Sequence, residues 1–417
     1  MLRKLKKWSF FILFNFSSYF YGDLISQKLV CVNYTKLVTD SKGLHDYGYP
    51  YLRLNKTVNA AGKETGIVIY FQDFYKYLLY DIDTLNFELF NCKNNISRTI
   101  KVPVNEQFQK HKVEPKYQIN AFYVVENKLY LLVFNTIYVY EISNLAVCRF
   151  LKSYETSQSG FEWFTMGNNK TGIFFKSLTE SSQGVQFFKF KIKNNKIRII
   201  DTLNLHFDGL KYLRSESSFI SDDNNTIVLG NATSSKIVII DKSSLKVKNS
   251  FYHSNLVNSK SNDTPNYNNK FDLHNSIYSD SNNYHYQTCY FSNNNIFRSR
   301  GKIVGKFPHL FDVYQLTING CDSIQTLCEG LYNFRKYRDS SDVFGIMHFD
   351  PMSSVGGRIA LNGSLYSVGF SYETVMDFTE KNIPYYKFPI SELRLKGKSV
   401  VENKKYNFTL YEYKVVN

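Results

Sequence analysis

Short runs of β-branched and aromatic residues recur along the chain, separated by Asn, Asp, Gly and Ser. GIVIYF (66–71), YKYLLYDI (75–82), KLYLLVF (128–134), TIYVYEI (136–142), GIFFKSL (172–178), QFFKFKI (186–192), KIRIIDTL (196–203), TIVLGN (226–231) and KIVIID (236–241) have strand length and strand composition. GNNKTG (167–172) and KNNK (193–196) read as hairpin turns, because Asn and Gly tolerate positive φ. Helical periodicity is nearly absent. LCEGLYNFRKY (327–337) is the best helix candidate, and it is short. Residues 252–288 are mostly Asn, Ser, Tyr and charge, the composition of a long loop insertion or, alternatively, of a domain boundary. Strand signals resume at YFSNNNIF, VYQLTI, DVFGIMHF, GRIAL, SLYSVGF and NFTLYEYKVV.

A repeat underlies the strands. Tyr80-Asp81-Ile82-Asp83-Thr84-Leu85 is echoed by Tyr140-Glu141-Ile142-Ser143-Asn144-Leu145 and by Ile240-Asp241-Lys242-Ser243-Ser244-Leu245. Each copy ends an apolar run in an acid, turns, and places Leu four residues later. With the KNNK turn, the spacing is about 50 to 60 residues, enough for four short antiparallel strands. The pattern resembles the β-propeller architecture in general and no one family within it. It implies an all-β domain over residues 23–417, with six or seven blades of four antiparallel strands and a loop insertion at 252–288. The last run, NFTLYEYKVV, is expected to pair with N-terminal residues, since closure protects sheet edges. WD dipeptides, kelch Gly pairs and the YWTD box are missing, and FISDDNNTI (219–227) lacks the Gly and Trp of a sialidase Asp box.

Length leaves the domain count open: 417 residues allow two or three domains, or one large all-β unit. Composition narrows the class. With 43% hydrophobic and 21% charged residues the chain is not intrinsically disordered, and 35 Phe and 33 Tyr supply most of its bulky core material. Residues 1–22 run from a basic stretch (Arg3, Lys4, Lys6, Lys7) into a short apolar one, as a secretory signal peptide does; an uncleaved signal-anchor is the alternative. Six cysteines then suggest up to three disulfides, of which Cys321–Cys328, closing a small loop, is the expected one. Sequons at Asn33, Asn55, Asn95, Asn169, Asn224, Asn231, Asn262, Asn362 and Asn407 fit a secreted glycoprotein.

Chemistry is harder to find. GxSxG, HExxH, GxGxxG and EF-hand loops are all missing, and no Cys/His spacing suits zinc. No cofactor is expected. His206-Phe207-Asp208 and His348-Phe349-Asp350 would each place an imidazole and a carboxylate on one strand face. They are the candidates for an alternative reading as a propeller hydrolase or cyclase with a central-channel site; a small-ligand carrier is a third. The net charge of +15 points elsewhere. Lys189, Lys191 and Lys193 alternate with Phe190 and Ile192, so the lysines share one strand face, with Arg198 close by across the KNNK turn. The favoured expectation is a monomeric, secreted, non-enzymatic binding module. It would recognise a protein or an anionic glycan, with an acidic membrane surface as a further partner. Nucleic acid is disfavoured by the secretion signal.

Overall fold

A computed structural model of the chain describes residues 28–37, 50–73, 84–103, 119–143, 147–167, 169–178, 184–205, 218–231, 236–252, 284–292, 294–304, 307–317, 320–331, 358–370 and 408–416. The described residues are all-β, with no helix among them. None therefore forms a helix long and apolar enough to cross a membrane.

The strands form consecutive four-stranded antiparallel meanders. The first holds β2 (Pro50–Val58), β3 (Glu64–Asp73), β4 (Thr84–Asn91) and β5 (Ile96–Pro103). The second holds β6 (Ile119–Val125), β7 (Lys128–Val133), β8 (Thr136–Glu141) and β9 (Arg149–Glu155). The third holds β10 (Trp163–Met166), β11 (Thr171–Ser177), β12 (Val185–Lys193) and β13 (Lys196–Leu205). These three join into one twelve-stranded sheet through short parallel pairings, Thr57 with Val124 and Val58 with Val125 on one side and Lys196 with Glu155 on the other. The fourth meander is β14 (Ser218–Asp222), β15 (Thr226–Asn231), β16 (Lys236–Asp241) and β17 (Lys246–Tyr252). The fifth is β18 (Tyr284–Ser292), β19 (Asn295–Val304), β20 (Phe307–Thr317) and β21 (Gly320–Leu331). The sixth unites β22 (Arg358–Leu361), β23 (Ser364–Phe370) and β24 (Phe408–Val416) with the N-terminal β1 (Lys28–Lys36), in the order β1-β24-β23-β22. The expected pairing of the last run with N-terminal residues is thus present, from Lys28 opposite Val416 to Lys36 opposite Thr409.

Antiparallel sheets usually alternate apolar and polar residues, because one face meets water. Here the central strands read as continuous apolar runs because both faces are covered. On β8, Tyr138 and Tyr140 enter the core shared with the first meander, while Ile137 and Val139 enter the core shared with the third. On β16, Val238 and Ile240 face the third meander, and Ile237 and Ile239 face the fifth. On β3, Ile67 and Ile69 meet Ile359, Leu361 and Val368 of the sixth. Strands β18 and β22 touch as well, so the packing runs from each meander to the next and from the sixth to the first.

Aromatic rings fill the wedges between meanders. Phe174 lies fully buried between Phe161 and Phe190, stacked at centroid distances of 4.1 and 4.2 Å. The stack needs a close backbone approach: any side chain at Gly172 would collide with the Thr165 carbonyl and the Phe190 ring.

Several expectations require correction. The best helix candidate fails in its first half: residues 327–331 continue β21, with Cys328 opposite Val313 and Leu331 opposite Leu310, and residues 332–337 lie outside the described set. Of the run 252–288 read as a loop insertion, Tyr252 closes β17 and Tyr284 to Thr288 belong to β18, and residues 253–283 lie outside the described set. The runs at 75–82 and 342–349 lie outside the described residues. The disulfide Cys321–Cys328 is not supported. Both cysteines sit in β21, and seven steps at strand rise separate their Cα atoms by about 23 Å, whereas a disulfide reaches about 7 Å.

The repeat also resolves differently. Glu141 and Asp241 each close the third strand of a meander, but Thr84 and Leu85 open one. The counterpart of Glu141 and Asp241 in the first meander is Asn91, followed like Asp241 by a four-residue turn. Asp81 lies outside the described residues. At the fourth meander, Asp241 Oδ1 accepts hydrogen bonds from Ser243 Oγ (2.6 Å), Ser244 N (2.7 Å) and Ser244 Oγ (2.9 Å). These bonds, that from Ser243 foremost, hold its carboxyl down at about 2. Glu141 instead pairs with Arg149 across the hairpin at 2.6 Å.

Two predictions follow from this packing. Replacing Phe174 with Ala removes the middle ring of the stack and should destabilise the fold by about 3–5 kcal/mol, seen as a lower denaturant midpoint. The Asp241 carboxylate stabilises the fold above its unfolded pKa of 3.8, and that contribution disappears as pH falls through about 2. An Asp241→Asn variant should therefore be less stable at neutral pH, with the gap to the parent closing in acid. A gap of constant size across an acid titration would contradict this.

Candidate functional site

Two groups of polar residues stand out against this apolar frame. The first lies where the first strands of the meanders approach one another. Only the last two residues of β2 pair with β6, so upstream the gap is bridged by side chains. Arg53 donates to the carbonyls of Ile119 (2.6 Å) and Asn120 (3.0 Å), and Asn55 Nδ2 donates to that of Phe122 (2.6 Å). One step further on, Lys56 is buried with its ammonium 2.6 Å from Glu64 Oε1. It also donates to the Asp222 and Phe291 carbonyls, so one cation ties the first meander to the fourth and fifth. The Asp222 carboxylate pairs with Lys242 at 2.6 Å, and Lys242 donates in turn to the Asp223 carbonyl (2.7 Å). Ser221 Oγ accepts from Phe291 N at 2.9 Å. Glu64 Oε2 accepts from Asn362 N at 3.0 Å, which brings in the turn between β22 and β23.

This knot is electrically matched: two buried ammonium groups meet two carboxylates. Tyr123, buried beside it, has its phenol pushed far above the usual range by burial and then by the Asp222 carboxylate. The charged groups are engaged with one another and with carbonyls of neighbouring strands. The arrangement suits cross-linking of strands better than catalysis. One of its acids, Asp222, comes from a segment the sequence offered only as a failed Asp box. In FISDDNNTI, Asp222 makes the ion pair, and Asp223 Oδ1 accepts from Asn225 N (2.9 Å) and Thr226 N (2.8 Å) to shape the turn. Sequence reasoning missed Lys56, Glu64 and Lys242 because burial is what distinguishes them, and the groups that enclose Lys56, the Asp222 and Phe291 carbonyls, are distant in the chain.

The second group is the basic face of the third meander. β12 and β13 pair so that Lys191 stands opposite Arg198 and Lys193 opposite Lys196, flanking the two-residue turn Asn194–Asn195. Both turn residues have positive φ (51° and 59°), as the hairpin requires. Directly opposed residues share a sheet face, so Lys191, Lys193, Lys196 and Arg198 form one exposed ladder, and none pairs with an acid among the described residues. Lys189, one step inward, is committed otherwise: it donates to the Ser243 carbonyl of the fourth meander and faces Asp201 across a bulge. The expected basic cluster is therefore present but displaced outward, gaining Lys196.

The remaining candidates divide plainly. His206, Asp208, His348 and Asp350 lie outside the described residues, between β13 and β14 and between β21 and β22 in the chain. Among the described residues, no group of three or more His, Cys, Asp or Glu side chains could hold a metal. Among the described side chains Cys92 and Cys148 are free, and burial pushes each thiol up to about 11, which keeps it protonated at neutral pH.

No family model matches the chain, and no curated protein matches it. Among solved structures, a Bacteroides fragilis protein named "Putative exported protein" aligns with 93% of this chain and 96% of its own at 11% identity and a TM-score of 0.48. A luciferin-regenerating enzyme aligns over 93% and 95% at 7% identity and 0.39. Hydrazine synthase of Kuenenia stuttgartiensis aligns over 87% and 86% at 10% identity and 0.37. Likeness at this level carries no argument about activity or fold family.

The knot yields its own prediction. Lys56→Ala strands Glu64 in a buried site and should cost about 3–5 kcal/mol. The double variant Lys56→Met with Glu64→Gln should cost less than the single one, because no uncompensated charge remains. Equal losses by chemical denaturation would show that the ion pair itself is not what the site requires.

Proposed function

We propose that the chain is a six-bladed β-propeller of the secretory pathway or cell exterior that binds an anionic glycan without transforming it. The architecture rests on three observations: consecutive four-stranded meanders, packing that passes from each to the next and from the sixth to the first, and completion of the sixth by an N-terminal strand. The compartment rests on the signal-like residues 1–22.

The binding reading is carried by one observation: the like-charge pairs Lys191–Arg198 and Lys193–Lys196, face to face on adjacent strands. Directly opposed like charges destabilise a sheet, by roughly 1 kcal/mol per pair in full solvent. An anion placed over the ladder reverses the sign of that interaction. Successive positions on one strand face lie about 7 Å apart and opposed residues about 5 Å apart, which presents a two-by-two array of cations to a chain bearing repeated sulfates or carboxylates. The expected glycan partner is favoured over a protein one because the ladder offers charge without an apolar centre, whereas protein interfaces concentrate aromatic anchors.

The test compares two sets of substitutions of equal charge in the full chain on a heparin column. Lys191, Lys193, Lys196 and Arg198 changed to Gln should lower the eluting salt well below that of the parent. Lys63, Lys93, Lys128 and Lys246, exposed but scattered, changed to Gln should lower it less. Equal shifts for the two sets would reduce the binding to net charge and remove the ladder as a site.

A further inference from the structure

In an antiparallel meander, the hairpin joining first to second strand and the one joining third to fourth lie at the same end. Four of the sequons fall in these hairpins: Asn95 between β4 and β5, Asn169 between β10 and β11, Asn224 between β14 and β15, and Asn362 between β22 and β23. The ends coincide across meanders too. Asn362 N donates to Glu64 at the β2–β3 turn, and the Asn224 side chain lies against Gly62 of that same turn. Strands β2 and β6 run parallel, as do β9 and β13, which fixes the first three meanders in one sense.

All four side chains are exposed. Asn95 and Asn362 occupy left-handed backbone (φ 54° and 50°) in their turns. Asn169 uses its oxygen, accepting from Thr171 N (3.2 Å) and from the Thr171 hydroxyl, and leaves its nitrogen outward. None of the four Nδ2 atoms donates to a described residue. Asn55 is the contrasting case: it sits within β2 and its Nδ2 is bound to the Phe122 carbonyl at 2.6 Å.

We propose that Asn95, Asn169, Asn224 and Asn362 are N-glycosylation sites that together clothe one end of the sheet assembly, and that Asn55 is not modified in the folded protein. In the modification, Nδ2 forms a bond to the anomeric carbon of a lipid-linked oligosaccharide donor as that carbon's bond to the lipid diphosphate breaks. The amide proton passes to a base, and the lipid diphosphate leaves with the electron pair. The folded structure accommodates a sugar at each of the four turns without disturbing a hydrogen bond, whereas at the half-buried Asn55 the Nδ2 is already engaged between β2 and β6, where a sugar would have to fit. The inference rests on the secretory part of the proposed function.

The experiment expresses the full chain, with its own N-terminus, in a glycosylating mammalian cell line. Amidase release of the glycans in heavy-oxygen water marks each formerly modified Asn as labelled Asp in peptide mass spectra. Label at all four turns and none at Asn55 is the expected result, with each single Asn→Gln change at a turn removing one glycan's mobility shift. A secreted chain with label at Asn55, or lacking it at two or more of the turns, overturns the proposal. A chain retained in the cytosol with no sequon labelled overturns the secretory reading instead, and the proposal with it.

Discussion

Among the described residues, the central strands of the second and fourth meanders must be covered on both faces. That constraint explains the composition, the strand patterns and the position of the polar residues. A four-stranded meander alone exposes two apolar surfaces. On β8 these are Ile137 and Val139 on one side and Tyr138 and Tyr140 on the other, and neither set can face water. Packing each meander between two neighbours is the solution, and aromatic side chains suit it because rings bridge the widening gap between twisted sheets. The Phe161–Phe174–Phe190 stack is the clearest instance.

Where meanders draw closest, at their first strands, the requirement changes. Backbone groups there lack full sheet partners, and a buried donor or acceptor left unpaired is costly. The chain answers with Arg53, Asn55 and Lys56, whose side chains reach main-chain carbonyls of neighbouring meanders. The charges of Lys56 and Lys242 are then balanced by Glu64 and Asp222. The polar knot follows from the apolar packing around it. The outer ladder of Lys191, Lys193, Lys196 and Arg198 has no such structural obligation, since its residues are solvated and unpaired with acids.

Much of the fold was legible because strand pattern is local. All-β character and the hairpins at 167–172 and 193–196 follow from alternation and turn chemistry within a few residues, and the pairing of β24 with β1 follows from the need to protect a sheet edge. The repeat was half legible. Glu141 and Asp241 end equivalent strands, yet the resemblance at Asp81 arose because a strand and a turn recur several times within each meander, and similar words appear at different places in the unit. The helix expectation failed at 327–331 for a related reason, since that mixed apolar and polar stretch pairs with β20 as part of β21. The ladder was partly legible through the alternation of Lys189, Lys191 and Lys193; register alone reveals that Lys196 joins it and that Lys189 does not. The knot was illegible, because Lys56 and Asp222 are separated by 166 positions.

Strand β1 sits beside β24 although most of the chain lies between them. Ribosomal synthesis makes β1 early and β24 late. Through nearly all of that interval β1 has no neighbour to pair with, and the apolar side of β2–β5 that will meet the sixth meander stays open. The last sheet is therefore a seam that can be sewn only once β24 has been made. Until then the nascent polypeptide carries one bare strand edge at each extremity of the growing stack, and helper proteins that shield extended segments would have their main work there.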